Sequence, residues 1–282
     1  MGYSLLEPKA KAMLLHNAKA ILLRNAKATE DKKTMMQLPK DLDEAVAQAK
    51  ISTAAALKDG KTRIMVELVF PELKQMAIAW DFLPVLTSLY GSGLKVFFPD
   101  TGAAALARRD WKLAEFTIAD LGNSRTPLAP KIQPEDEAFL IIEPSAVEVL
   151  IVEELCQLAG DRPCILFNPK LEDVSIVGIG YAARQLRDRF ISTLESYYYL
   201  RPMEDFALMR AYPDQWQVWQ LVEEEYRMIA ESAEKPVGEV LDQIMMGGSR
   251  SGEGDLQEGT KTPVKTPGLM ANLQRFLRAL SS

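Results

Sequence analysis

Four short apolar runs each end at a proline, and they constrain the fold more than any other feature of the sequence. The runs close with Val69-Phe70-Pro71, Phe97-Phe98-Pro99, Ile142-Glu143-Pro144 and Phe167-Asn168-Pro169. Segments rich in Val, Ile, Leu and Phe are typical of strands that are buried on both faces of a parallel sheet. Proline lacks a backbone donor and disfavours helix at the residue before it, so each proline marks the end of a strand.

The order of the elements predicts an α/β fold. Strand and helix alternate through most of the chain, and this alternation is typical of a parallel sheet covered by helices. The clearest βαβ unit comprises strand Ala138–Glu143, helix Ala146–Ala159 and strand Pro163–Asn168. Other predicted elements are a helix over Glu72–Tyr90, a strand around Leu113–Ile118 and helices over Tyr181–Ser196 and Val237–Met246.

Antiparallel pairing is predicted further along the chain. Pro213-Asp214 suits a tight turn between two strand candidates, Phe206–Tyr212 and Trp216–Val222. We therefore expect a mainly parallel, Rossmann-like sheet flanked by helices, with an antiparallel hairpin extension near the C-terminal part.

Polar side chains gather just beyond the strand ends and are the candidate ligand-binding residues. Open α/β sheets bind ligands outside the carboxyl ends of their strands. The candidates are Asp100, Thr101, Glu143, Ser145, Asn168, Lys170 and, on the helix that follows Gly180, Arg184. This pattern predicts where a ligand would bind but indicates no reaction, so no catalytic residue is assigned.

Several of the acidic candidates also have a structural interpretation. Asp100 and Thr101 can begin a helix, either as caps for its first amides or as part of an anion site. Glu67 lies inside an apolar strand and needs a partner. Glu67 and Glu143 could form a catalytic carboxylate pair. We favour structural acids bonded to arginines or backbone amides, because such networks are commoner than active sites.

Two short motifs match known signatures without the context that those signatures require. The segment from Gly178 to Ala183 matches the dinucleotide fingerprint, but the position expected for its acid falls near Leu200-Arg201. A tight turn before a helix also explains the glycines. Asp100-Thr101-Gly102 matches an aspartic-protease signature, which needs a second copy that the sequence lacks. We therefore expect no cofactor.

The composition excludes several classes of function. The only histidine, His16, lies in the N-terminal extension, so the body of the protein holds no Ser-His-Asp triad, Cys-His pair or His-ligated zinc. A formal charge of -6 argues against nucleic acid as a partner. The apolar stretches are shorter than the roughly 18–20 residues of a membrane span. The presence of only two cysteines, Cys156 and Cys164, indicates a reducing compartment, and we expect both to be small buried residues.

The sequence divides into four parts. Residues 1–35 form a basic, low-complexity extension with an eight-residue repeat, residues 36–246 a single α/β domain, residues 247–268 a flexible linker and residues 269–282 a short amphipathic helix. The extension is either weakly helical or disordered, with a start at Met35 or Met36, or a membrane-binding or targeting segment. The final helix is either a docking element or a frayed tail.

Several segments of the predicted domain resemble those of one family. They are Arg63–Pro71, Val96–Asp100, Ala104–Trp111, Ile142–Ser145, Arg162–Asp173, Gly178–Phe190 and Leu208–Val222. The family is a domain of unknown function shared by cyanobacteria and plant chloroplasts. It includes the plant "low photosystem II accumulation" assembly factor and the C-terminal domain of a chloroplast adenylate kinase. The resemblance covers most of the chain, and it carries over no catalytic residues.

The resemblance implies a protein of photosystem biogenesis in the cytoplasm or the plastid stroma. We expect a non-enzymatic interaction or assembly factor, peripheral to the thylakoid membrane, with photosystem II assembly intermediates among its protein partners. Leu269–Ser282 would provide the membrane contact. The alternative is a small-ligand or nucleotide/phosphate-binding α/β domain with phosphoryl-handling activity at the strand ends.

Overall fold

A nine-stranded sheet organises the part of the chain that this computed structural model describes, residues 36–112, 115–122, 127–171 and 181–250. Its strands are β1 (Arg63–Leu68), β2 (Leu94–Phe98), β3 (Thr117–Asp120), β4 (Ala138–Ile142), β5 (Cys164–Phe167), β6 (Glu195–Pro202), β7 (Phe206–Ala211), β8 (Trp216–Val222) and β9 (Glu225–Ser232). They are arranged in the order β3-β2-β4-β5-β1-β6-β7-β8-β9.

The sheet changes from parallel to antiparallel at β6. All pairs from β3 to β6 across the sheet are parallel, whereas β6, β7, β8 and β9 pair antiparallel. Every residue of β2, β4 and β5 is buried, as expected for parallel strands covered on both faces. The predicted fold class is confirmed: a mainly parallel sheet with an antiparallel extension near the C-terminal part.

Helices cover both faces of this sheet. They are α1 (Leu42–Lys58), α2 (Gln75–Phe82), α3 (Pro84–Tyr90), α4 (Thr101–Asp110), α5 (Val149–Ala159), α6 (Tyr181–Arg189) and α7 (Gly238–Arg250). Helix α1 begins at Asp41, whose side chain accepts a hydrogen bond from the amide of Glu44 at 2.7 Å. Among the described residues, none of these helices has the length and apolar character needed to cross a bilayer.

Several predicted elements differ from the observed ones. The helix expected over Glu72–Tyr90 is divided into α2 and α3, because Pro84 cannot donate to the preceding turn and instead begins α3. Helix α6 ends at Arg189, before a 3₁₀ turn in which the hydroxyls of Ser192 and Thr193 bond backbone carbonyls.

Strand β3 begins at Thr117 rather than near Leu113. Trp111 ends α4, and its ring packs against Trp80, Phe98 and Phe116, so the chain turns there before the strand starts. The last helix, α7, continues to Arg250 rather than ending at Met246.

Two apolar cores lie on opposite faces of the parallel strands. The first face carries α1, α2, α3 and α4, with Val66 and Phe98 among the strand side chains that point to it. The second face carries α5 and α6, with Phe97 and Leu166 pointing the other way. Helix α7 packs through Leu241 against Tyr199 and Trp216, side chains of the antiparallel part. Cys156 and Cys164 are buried and form no disulfide.

A buried ion pair fixes the segment that leads into β4. Lys95 Nζ lies 2.6 Å from Asp136 Oδ2, and the two side chains are only 8% and 7% exposed. Lys95 also donates to the carbonyl of Lys131, and Asp136 accepts from the amide of Gln133. The pair therefore anchors residues 131–136 against the edge of β2.

We predict that Lys95→Met destabilises the protein by about 3–5 kcal/mol in urea unfolding, because it leaves the Asp136 carboxylate buried without its partner. The matched control is the double variant Lys95→Met/Asp136→Leu, which removes both charges and should recover most of the loss. A double variant as unstable as the single one would contradict the explanation.

Candidate ligand-binding site

The carboxyl ends of β2 and β4 form a topological switch point. Strand β2 leads into α4 on the first face, while its neighbour β4 leads into α5 on the second. Ligands of open α/β sheets bind in the crevice that this divergence creates. Asp100 and Thr101 follow β2, and Glu143 and Ser145 follow β4. The sequence candidates thus lie at the edge where a ligand is expected.

Asp100 caps a helix. Its Oδ1 accepts a hydrogen bond from the amide of Ala103 at 2.9 Å, and Thr101 is the exposed first residue of α4. The capping interpretation of Asp100 is confirmed. The same contact gives the aspartate of the Asp100-Thr101-Gly102 motif a structural role. The glycine motif that begins at Gly178 lies largely outside the described residues, within 172–180.

Glu143, Ser145 and Lys170 are brought together at the ends of β4 and β5. Lys170 Nζ donates to Glu143 Oε1 at 2.8 Å, and the backbones of Ser145 and Lys170 form a parallel bridge. The Ser145 hydroxyl donates to Glu148 Oε2 at 2.6 Å. The partner of Glu143 is therefore a lysine, where the sequence analysis favoured an arginine or a backbone amide.

Asn168 ties the end of β5 to its surroundings from a buried position. Its Oδ1 accepts from the amide of Leu68 at 2.6 Å, and its Nδ2 donates to Gln75 Oε1 at 2.6 Å. Its own amide donates to the carbonyl of Val66. The φ of 49° is one that asparagine tolerates better than most residues. These hydrogen bonds give the Asn168 side chain a structural role.

Arg184 does not join this group by any described contact. It lies on α6, and its side chain is exposed. Its position on the helix after the glycine motif made it a candidate partner for Glu67 and Glu143, but those two carboxyl groups bond Ser196 and Lys170.

A cavity of about 440 Å³ opens on the second face of the sheet, where the parallel and antiparallel parts meet. Its apolar lining comes from Met65, Pro169, Leu171, Ile191, Leu194 and Trp216. Its polar lining comes from Glu67, Lys170, Glu195, Ser196, Arg210 and Lys235. Only Lys170 among these belongs to the predicted site residues. This cavity thus lies beside the strand-end cluster, on the face of β1 and β6.

Glu67 provides a buried carboxyl group in this cavity. It accepts a hydrogen bond from the Ser196 hydroxyl. Burial raises the pKa of Glu67, and the nearby charge of Lys235 and the Ser196 hydrogen bond oppose that rise only in part. Arg63, on the same face of β1, bonds the carbonyls of Cys156 and Gly160 instead. The partner of Glu67 is thus a serine hydroxyl, and Glu67 does not pair with Glu143.

Two cations of the lining, Arg210 and Lys235, lie beside aromatic rings. Arg210 Nη2 donates to Glu195 Oε1 at 2.6 Å, while the Nε of Arg210 is buried without a hydrogen-bond partner in the described part of the chain. The Arg210 guanidinium carbon lies 5.6 Å from the centre of the Trp216 ring. Lys235 Nζ lies 3.9 Å from the centre of the Tyr199 ring. Both contacts have cation–π geometry.

Sequence reasoning missed Ser196, Arg210 and Lys235 as site residues. Ser196 lies on β6, which pairs in parallel with β1, whereas Arg210 and Lys235 belong to β7 and to the segment after β9, in the antiparallel part of the sheet. The sequence held one indication of such partners, because Glu67 is a glutamate inside an apolar strand and therefore requires a partner. The described residues contain no group of three His, Cys, Asp or Glu side chains arranged to hold a metal ion.

The fold and the site define an α/β protein with a ligand-sized cavity at the junction of the two parts of its sheet. The chain belongs to the family described as Domain of unknown function (DUF1995), whose model matches residues 39–243. The matched segment contains all nine described strands and every residue that lines the cavity. This finding confirms that the chain is a member of an uncharacterised domain family.

We predict that Asn168→Ala destabilises the protein by about 2–4 kcal/mol in urea unfolding. The substitution leaves the buried amide of Leu68 without an acceptor and places alanine at a positive φ. The matched control is Lys170→Ala, two positions along, which removes only an exposed ion pair and should cost less than about 1 kcal/mol. Equal losses in both variants would show that the Asn168 contacts do not stabilise the fold.

We predict that Glu67→Gln stabilises the protein at neutral pH. Because burial raises the pKa of Glu67 in the folded state, folding favours its protonated form. The wild-type carboxyl therefore costs no stability below the ordinary glutamate pKa and increasingly destabilises the fold as the pH rises through the folded value. The advantage of the glutamine variant in denaturant unfolding should be present at about pH 8 and vanish near about pH 4.

The control is Glu195→Gln, for which the expected change in stability at neutral pH has the opposite sign. Burial of Glu195 is outweighed by hydrogen bonds from Tyr197 and Arg210, which lower the pKa of this carboxyl. Its ionised form therefore stabilises the fold above the ordinary glutamate pKa, and this contribution is lost as the pH falls. Glu195→Gln should destabilise the protein at neutral pH. A pH-independent difference for Glu67→Gln would be evidence against the raised pKa.

Proposed function

We propose that this protein is a non-enzymatic interaction factor in the biogenesis of the photosynthetic membrane, with photosystem II assembly intermediates as its protein partners. It acts in the cytoplasm or the plastid stroma, at the periphery of the thylakoid membrane. Two considerations from the sequence support this proposal: the resemblance to a photosystem II assembly factor and the absence of histidine outside the N-terminal extension.

The observation that carries the proposal is the structural use of the strand-end side chains. Asp100 caps α4, Ser145 bonds Glu148, and Asn168 joins β5 to β1 and α2. α/β enzymes place their reactive groups at this edge of the sheet. Here these three side chains make contacts within the fold itself, which favours a binding role over catalysis.

An exposed apolar stripe at the start and along the outer side of α5 supports a protein partner. Val147, in the turn that precedes α5, and Leu150 and Leu158, on the helix itself, are 67%, 58% and 39% exposed. The opposite side of α5 packs into the second core through Val152 and Leu155. An apolar stripe that the fold leaves in solvent is typical of an interaction surface.

We predict that Val147→Glu/Leu150→Glu reduces the association of a tagged protein with photosystem II assembly intermediates at least about tenfold. Charged side chains would have to be desolvated where apolar ones now contact the partner. The measurement is quantitative mass spectrometry of complexes purified from solubilised photosynthetic membranes. The matched control is Ile51→Glu/Leu89→Glu, two comparably exposed apolar residues on the first face, which should leave the association unchanged.

Removal of Leu269–Ser282, which lies outside the described residues, separates membrane contact from partner binding. The truncated protein should leave the membrane fraction, and unchanged co-fractionation would refute the membrane contact.

If assembly intermediates do not accompany even the wild-type protein, the proposed function is wrong. If both double variants lose the intermediates equally, the stripe on α5 is not the docking surface.

A second candidate function is binding of a small ligand by the α/β domain, and one form of it is nucleotide or phosphate binding with phosphoryl-handling activity. The observation that favours ligand binding is the cavity of about 440 Å³, which combines apolar walls with charged groups. Lys170 is the predicted strand-end residue that contributes to it. A thermal-shift panel of nucleotides and phosphorylated metabolites tests the phosphate version directly.

A further inference from the structure

A shallow apolar groove lies beside helix α7, at the antiparallel end of the sheet. Phe206, the first residue of β7, lines it together with Asp242, Met245 and Met246 of α7. Its volume of about 230 Å³ lies below the roughly 300–1,000 Å³ of small-molecule sites. A groove of this size and composition is typical of a surface that receives the apolar side chains of an amphipathic helix.

The groove stays at the surface while the inner side of α7 holds the helix in place. Leu241 packs against Tyr199 and Trp216 of the antiparallel strands. Met246, by contrast, is 69% exposed, and Asp242 lies on the same side of the helix because the two are four residues apart. Methionine is unbranched and polarisable, so it adapts to the side chains that pack on it. The helix therefore presents an adaptable apolar edge to an occupant.

Carboxylates border this groove. Asp242 is one of its lining residues, and Glu239 lies one turn earlier on α7. Glu204 and Asp205 directly precede Phe206, and all four acidic side chains are exposed. Complementary charge steers a partner and fixes its orientation. The groove therefore favours an occupant that combines an apolar side with positive charge.

The sequence of this same chain contains a segment of that description. Residues 269–282, which lie outside the described residues, include no aspartate or glutamate, and their charged side chains are Arg275 and Arg278. The apolar residues recur at the spacing of an amphipathic helix: Leu269, Leu273, Phe276, Leu277 and Leu280. A helix of this length is marginal in water unless its apolar side packs on another surface. The segment thus matches the groove in both charge and apolar pattern.

The connection between the groove and this segment is short. Helix α7 ends at Arg250, one turn beyond Met246, and residues 251–268 lead from there to Leu269. Such a connection reaches at most about 60 Å, and it gives the segment an effective concentration at the groove on the order of 1 mM. A segment whose free peptide binds with a Kd of only about 0.1 mM would then be docked about nine-tenths of the time. Weak contacts are therefore enough.

We propose that residues 269–282 dock in this groove of their own chain as an amphipathic helix. Phe276, in the middle of the apolar side, packs against Phe206 and Met246, and the two arginines lie beside Asp242 and its acidic neighbours. A second copy of the chain offers the same segment, but at micromolar concentration it competes poorly with a tethered one. The docking is independent of the proposed function. Its consequence rests on that function, because the docked segment hides the side chains that the proposed membrane contact uses.

Hydrogen exchange of the full chain, followed by mass spectrometry in the absence of membranes, tests the docking. Peptides that cover residues 273–280 should exchange about tenfold more slowly than the synthetic peptide of residues 269–282, because docking for about nine-tenths of the time slows exchange by that factor. The protection should not change when the protein is diluted, since the contact is intramolecular.

Two substitutions locate the docked segment. Met246→Glu places a charge in the groove, and Phe276→Glu places one on the segment, so each should abolish the protection of residues 273–280. The matched control is Val240→Glu, at an α7 residue that is 58% exposed on a different side of the helix. It should leave the protection unchanged, and circular dichroism checks that each variant is folded.

Three results would overturn the inference. Exchange of the wild-type segment as fast as that of the free peptide would show that it does not dock. Protection that survives Met246→Glu would place the segment elsewhere. Protection that disappears on dilution would identify a second copy of the chain as the occupant.

Flotation with vesicles of phosphatidylglycerol and phosphatidylcholine separates this inference from the proposed function. Met246→Glu should bind the vesicles about tenfold more tightly than the wild-type protein, because a released segment no longer has to leave the groove first. Equal binding by the two proteins would contradict competition between groove and membrane. If neither protein binds while the exchange protection is present, the proposed membrane contact fails and the docking stands. Vesicle binding without protection would give the reverse.

Discussion

The hydrogen bonds of the Asn168 side chain hold together the part of the molecule on which the rest depends. They join the end of β5 to the amide that closes β1 and to Gln75 at the start of α2. The next residues are thereby placed: Lys170 bridges to Ser145, and Leu171 enters the cavity wall. One buried amide side chain thus positions a strand junction, the strand-end cluster and one edge of the cavity.

The change from parallel to antiparallel pairing at β6 explains where the cavity lies. Strand β1 contributes Glu67 from the parallel half, and β7 and β8 contribute Arg210 and Trp216 from the antiparallel half. The helices of the second face cover the two halves separately, through α5 and α6 on one side and α7 on the other. The cavity lies between them, and the outer side of α5 carries the exposed apolar stripe. The two proposed functions therefore use different surfaces.

The strands were more predictable than the helix boundaries, for a physical reason. Trp216–Val222 is a strand with the predicted bounds, and the strand predicted over Ala138–Glu143 ends one residue earlier, at Ile142, because apolar runs limited by proline or turn residues leave few alternatives. The helix over Glu72–Tyr90 was wrong, since helical spacing continues across Pro84 although the backbone hydrogen bonds do not. Of the strand-end candidates, Glu143, Ser145 and Lys170 lie together and Asn168 bonds β1 and α2, whereas Arg184 lies apart on α6.

By itself the sequence determined the fold class, the capping role open to Asp100 and the need of Glu67 for a partner, because each follows from local chemistry. Tertiary structure alone decided which groups surround Glu67. Ser196, Arg210 and Lys235 are far from it along the chain, and strand pairing brings them to one face. The tertiary structure also decided that Asn168 ties two strands, since the buried amide that needs an acceptor belongs to Leu68, a hundred residues earlier. Local spacing carries no information about such pairings.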